Sequence, residues 1–138
     1  QQQQQQQQGA LGGMMVRGTL QPPTSSTTAQ GESWTQMLLH TEVVWVNQEQ
    51  ESGLPYDIVL RNPETHAVLA YVEVKSSAWH SKDAFEVSPA EMRWAQHHGP
   101  AYTVFRVSGA STSNPSLVRL TDPIALWQAK AISLCLIA

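Results

Sequence analysis

The 138-residue chain carries 41% hydrophobic and 14% charged residues, which suits one small core and leaves too little length for two ordinary domains. Eleven acidic against eight basic side chains give a net charge of −3, which excludes the broad basic surface on which nonspecific nucleic-acid binding relies. The lone Cys135 excludes a disulfide framework and a closed Cys/His zinc site, and no run of about eighteen apolar residues is present to cross a membrane. The chain is therefore expected to be soluble and intracellular, and, lacking an initiator methionine, to be a fragment of a longer protein.

Residues 1–30 hold a glutamine tract, a glycine-rich patch and a Pro/Ser/Thr stretch, with Arg17 as the only charged side chain. Such a composition buries too little apolar area to offset its ordering, so a flexible linker is expected there and a folded domain over 31–138. "GESWTQMLLH" spaces Trp34, Met37 and Leu38 for one face of a short helix, with Glu32 in its first turn where the dipole favours negative charge. "EVVWV" (42–46) and "YDIVLR" (56–61) are β-branched and aromatic runs separated by the polar loop "NQEQESGLP". "NPET" (62–65) is turn chemistry, so "AVLAYVEVKSS" (67–77) should return antiparallel, bringing Asp57 and Glu73 onto neighbouring strands.

In "FEVSPAEMRWAQHHG", Ser88 can cap a helix, Pro89 fits its first position, Glu91 completes a capping box and Gly99 ends it. His97 and His98 then fall where the helix dipole favours positive charge. "AYTVFRV" (101–107) and "LVRL" (117–120) read as strands, and "TDPIALWQAKA" (121–131) as a capped helix leading into "ISLCLIA". Trp34, Trp45, Trp94 and Trp127 fall on apolar faces and are expected in the core. The order of elements predicts an α/β or α+β domain built on a mixed sheet.

Within "YVEVKSS", Glu73 and Lys75 lie two apart on one strand face, while Val72 and Val74 take the other, which is expected to meet the core. A Glu-x-Lys pair on a sheet surface is commonly a weak ion pair. A second carboxylate from Asp57, and a third from Glu32, would raise one another's pKa unless a cation lies between them. Hard oxygen ligands of this kind suit Mg²⁺ or Mn²⁺, and an adjacent lysine could orient or deprotonate an attacking water and stabilise negative charge on phosphate.

"PYD" (55–57) followed by "EVK" (73–75) resembles the PD-(D/E)XK nuclease signature, with one extra residue between Pro55 and Asp57. "WVNQEQESGLPYDI", "YVEVKSS", "FEVSPAEMRWA" and "YTVFRV", in this order, are similar to the NO VEIN C-terminal domains, and the likeness extends over roughly 31–138. The resemblance implies a restriction-endonuclease-like mixed sheet flanked by helices. It implies Asp57, Glu73 and the carbonyl of Val74 as metal ligands, Lys75 as the catalytic lysine, and Glu32 as the acidic residue of the first helix. The function implied is metal-dependent phosphodiester hydrolysis of nucleic acid within a larger, nuclear protein. The alternative is a noncatalytic module of the same fold that binds nucleic acid or protein. Ser76, Ser77, Trp79, His80 and Lys82 could touch phosphate or stack on a base, or could simply terminate the strand and form a solvated loop. Glu91 is expected to act as a helix cap rather than as a further ligand.

Overall fold

The computed structural model describes residues 14–17, 40–80 and 84–136. Its elements run β1 (Met14–Arg17), β2 (Glu42–Trp45), β3 (Ile58–Arg61), β4 (Val68–Ser76), β5 (Ala84–Val87), α1 (Pro89–His98), a 3-10 turn (Gly99–Ala101), β6 (Tyr102–Ser108), β7 (Ser116–Thr121), α2 (Pro123–Gln128) and β8 (Ser133–Leu136). The domain is mixed α/β, with a five-stranded sheet in the order β2-β3-β4-β6-β7 and a three-stranded sheet in the order β5-β1-β8. The helix expected around Trp34, and Glu32 with it, lies outside the described residues.

The five-stranded sheet follows from its local chemistry. Asn62 closes the β3–β4 turn by accepting the amides of Glu64 and Thr65 on Oδ1, at 2.9 Å each, and the two strands pair antiparallel as expected. β4 and β6 then pair in parallel, an arrangement that requires a long crossover, and α1 lies within it. The helix starts where Ser88, Pro89 and Glu91 dictate: Ser88 Oγ accepts the Glu91 amide at 3.2 Å, and Glu91 Oε2 accepts the Ser88 amide at 2.9 Å. It stops at Gly99, whose φ of 49° lies in the left-handed region that glycine tolerates best. Asp122 caps α2 in the same fashion, accepting the Ala125 amide at 3.0 Å.

The three-stranded sheet has no counterpart among the expected elements. β1, inside the stretch read as linker, pairs antiparallel with β5 through Met14↔Val87 and with β8 through Met14↔Leu136. Each of its strands is four residues long and its partners are distant in sequence, so no local periodicity announces it.

The core also departs from expectation. The larger cluster, of Val87, Ala95, Tyr102, Val104, Leu120 and Ile132, lies on the sheet face that carries Glu73 and Lys75, because register pairs Tyr71 with Tyr102, Glu73 with Val104 and Lys75 with Arg106. Val72 and Val74 meet the core as expected, in a smaller cluster with Leu60, Ala70, Ile58 and Phe105. The charged pair therefore sits on the helix-covered face rather than on an open sheet surface. Tyr71, Tyr102 and Val104 supply the apolar area that draws α1 down on it. Trp45 and Trp127, expected inside, are 57% and 45% exposed. Trp94 is half-buried within an aromatic group of Tyr56, Tyr71 and His98. No helix of the described residues is long and apolar enough to cross a membrane.

Candidate functional site

Asp57 is the last residue before β3, and its backbone continues the ladder by donating to the Val72 carbonyl at 2.9 Å. Its side chain is held from two directions: Oδ1 accepts Asn47 Nδ2 and Oδ2 accepts the Val74 amide, each at 2.7 Å. Asn47 is itself placed by the polar loop, its Oδ1 accepting the Ser52 amide at 2.9 Å. Since the N–H and C=O of one strand residue share an edge, the bond from Val74 N–H to Asp57 also puts the Val74 carbonyl on the Asp57 side of β4.

Glu73 follows on the helix-covered face, with a side chain only 10% exposed, and Lys75 Nζ lies 2.9 Å from its Oε1. The same ammonium lies 3.0 Å from Glu91 Oε1, at the first turn of α1, where the Glu91 side chain is 13% exposed. The expected cap at Glu91 is therefore present, and its second oxygen reaches across sixteen residues to the strand. Tyr102 closes the floor beneath, its hydroxyl donating to the Pro55 carbonyl at 3.0 Å, and so ties β6 to the turn that delivers Asp57.

These groups share one electrostatic environment: Glu73 and Glu91 flank the Lys75 ammonium, and the Asp57 charge reaches Glu73. Burial pushes the Glu73 carboxyl up to about 7; the hydrogen bond and charge of Lys75 oppose this, and the charges of Glu91 and Asp57 add to it. Burial alone would lower the pKa of Lys75, but its hydrogen bonds to Glu73 and Glu91 outweigh that and raise it. The two shifts differ in origin: burial dominates at Glu73, whereas the paired carboxylates dominate at Lys75. Burial first, and then the same three carboxylates, hold the Tyr102 hydroxyl protonated well above its ordinary range.

The oxygen donors here are of the kind that hard divalent cations take. Each Asp57 oxygen accepts one of the hydrogen bonds described and has a second lone pair, and Glu73 and the Val74 carbonyl add oxygen donors from the neighbouring strand. It is a sparse set: no group of three or more His, Cys, Asp or Glu side chains able to hold a metal ion occurs among the described residues. A cation here would keep several waters, as Mg²⁺ does.

The remaining candidates separate from this cluster or serve it structurally. Ser77 Oγ donates to the Trp79 carbonyl at 2.8 Å and accepts Arg106 Nη2 at 3.0 Å, which closes the strand end. Arg106 also donates to the carbonyls of Lys75 and Val107, at 3.2 and 2.7 Å, and packs over the Phe85 ring. Ser76 is exposed, as is Trp79, while the His80 ring lies against Gly109 with Ser108 and Thr112 hydroxyls at 3.5 Å. Lys82 lies outside the described residues. His98 lies with His97 in the last turn of α1 as expected, packs between Tyr71 and Trp94, and has its pKa lowered by burial and by the neighbouring His97. Sequence reasoning overlooked the Glu91–Lys75 pair, Asn47 and Tyr102. A glutamate at the third position of a capped helix already had a sufficient local explanation.

The family model described as Protein NO VEIN, C-terminal, matches residues 26–120. The chain is 35% identical over 86 residues to Protein NO VEIN of Arabidopsis thaliana, a match that covers 62% of this chain and 3% of that protein. It is likewise 35% identical over 86 residues to Protein NO VEIN-LIKE of the same plant, covering 62% of this chain and 13% of that one. The chain thus spans a small part of the curated relatives it matches. No solved structure matches it.

Proposed function

The chain belongs to the family of the NO VEIN C-terminal domain, and from that premise we propose that it is a metal-dependent phosphodiesterase module acting on nucleic acid, with a restriction-endonuclease-like arrangement around β4. The observation that carries the reading is the half-buried group of Asp57, Glu73 and Lys75 on adjoining strands, with Asp57 held against β4 by the Val74 amide and Lys75 paired to Glu73.

Asp57, Glu73 and the Val74 carbonyl would hold Mg²⁺ or Mn²⁺, which when bound polarises a phosphoryl oxygen and acidifies a water. The chain's own groups do the rest. Asn47 and the Val74 amide keep the Asp57 carboxylate from rotating, so its remaining lone pairs point in fixed directions. Lys75 presents a positive charge beside Glu73, where it can stabilise the negative charge that grows on phosphate oxygens and orient the attacking water. Tyr102, kept protonated, secures the Pro55 carbonyl and with it the approach of Asp57 to β4. Nucleic acid must be drawn to this site locally, because the whole chain is acidic.

Purified chain incubated with Mg²⁺ or Mn²⁺ should nick plasmid DNA or cut single-stranded DNA or RNA, and a chelator should stop it. Product formation that is indifferent to the chelator would remove the metal from the reading. One observation favours a second, noncatalytic reading: both Asp57 oxygens and the Lys75 ammonium already have partners within the chain. Binding of the same nucleic acids without any cutting would support it.

A further inference from the structure

We infer that Glu91 is a positioning residue that fixes the Lys75 ammonium beside Glu73, an inference that rests on the hydrolytic reading of this site. Helix capping does not account for the whole of this side chain. A cap at this position needs one oxygen to accept the Ser88 amide, and glutamine would serve it as well. The other oxygen, Oε1, meets Lys75 Nζ at 3.0 Å, and meeting an ammonium with full charge is something only a carboxylate does.

The geometry explains why such a second hold is needed. A lysine ammonium ends a flexible four-carbon stem and has no preferred direction of its own. Glu73, two residues away on the same strand face, holds Nζ from the sheet at 2.9 Å. If Glu73 turns its oxygens toward a cation, that hold weakens. Glu91 then keeps Nζ in place from the helix side, its other oxygen, Oε2, being held by the Ser88 backbone amide. The entry of α1 is thereby coupled to the site, and Lys75 is suspended between two elements that the fold holds apart.

The test compares Glu91→Gln, which keeps the cap and removes the charge, with Ser88→Ala, which weakens the cap and leaves the Glu91 carboxylate. With nucleic acid and Mg²⁺, Glu91→Gln should lower kcat about 10- to 100-fold with KM nearly unchanged, whereas Ser88→Ala lowers the melting temperature and leaves kcat within about twofold. A double-mutant cycle of Glu91→Gln with Lys75→Met, read by urea denaturation, should show a coupling of about threefold or more in the folding equilibrium constant. Equal kcat in Glu91→Gln and Ser88→Ala, or an additive cycle, would overturn the inference. If the cycle is additive while the unaltered chain cuts, the positioning role fails and the hydrolytic reading survives. If the cycle shows coupling while the unaltered chain cuts nothing, Glu91 still holds Lys75 and it is the hydrolytic reading that fails.

Discussion

Lys75→Ala should lower metal-dependent cutting by about 10²–10³-fold, the range seen when a single group that stabilises transition-state charge is removed. The same change should also destabilise the fold, an effect that a surface lysine would not have. Lys75 is 20% exposed and is the cation between Glu73 and Glu91, with Asp57 close enough to add to the repulsion. Removing one partner of a largely buried pair leaves charge uncompensated, at a cost on the order of 3 kcal/mol. Added Mg²⁺ should return part of that stability, because it supplies positive charge to the same carboxylates. Urea denaturation with and without the metal reads both effects. A variant that keeps its full stability would place the ammonium in solvent, and one that keeps full activity would remove Lys75 from the chemistry.

Glu73 should make the metal-free protein lose stability as pH rises between about 4.5 and about 7. Its carboxyl is raised from 4.5 to about 7 in the folded state, chiefly by burial, so over that window the folded chain binds more protons than the unfolded one. The stability this group contributes is complete below its unfolded pKa and is lost as pH rises through its folded pKa. The loss is on the order of 3 kcal/mol at one pKa unit per 1.36 kcal/mol. Other groups titrate nearby, His98 with the opposite sign, so the quantity to measure is the difference between the wild type and Glu73→Gln across the window. That difference should fall as pH rises without metal and flatten in Mg²⁺, which would hold Glu73 ionised at both ends. A pH-independent difference would mean that Glu73 is ionised throughout and that its burial is not felt.

Much of the architecture was legible because its signals are local. Ser88, Pro89 and Glu91 announce α1 within four residues, Asn62 announces the β3–β4 turn, and β-branched runs announce β3, β4 and β6. The sheet of β1, β5 and β8 was hidden because its stability is a matter of pairing between residues as remote as Met14 and Leu136. That the Glu73 and Lys75 face of β4 is covered as well as the Val72 face was hidden for a related reason. Alternation shows which residues share a side, but which side is covered depends on where α1 lands, and Ala95 and Trp94 land over Tyr71 and Tyr102. At the site, Asp57, Glu73 and Lys75 stand out as a spaced motif, and antiparallel pairing was enough to bring the first two together. Asn47 and Tyr102 carry no such mark, since each acts through a contact that only the folded chain creates. Glu91 was visible, and half of its geometry was predicted; the other half depends on the distance between a helix end and a strand.

The most direct test of the account is a calorimetric titration of the purified chain with Mg²⁺, beside Asp57→Asn. Saturable binding at one site is expected, accompanied by proton release near neutral pH as Glu73 ionises, with a loss of affinity of at least about tenfold in Asp57→Asn. Identical titrations of the two proteins, or no binding heat in either at millimolar metal, would contradict it.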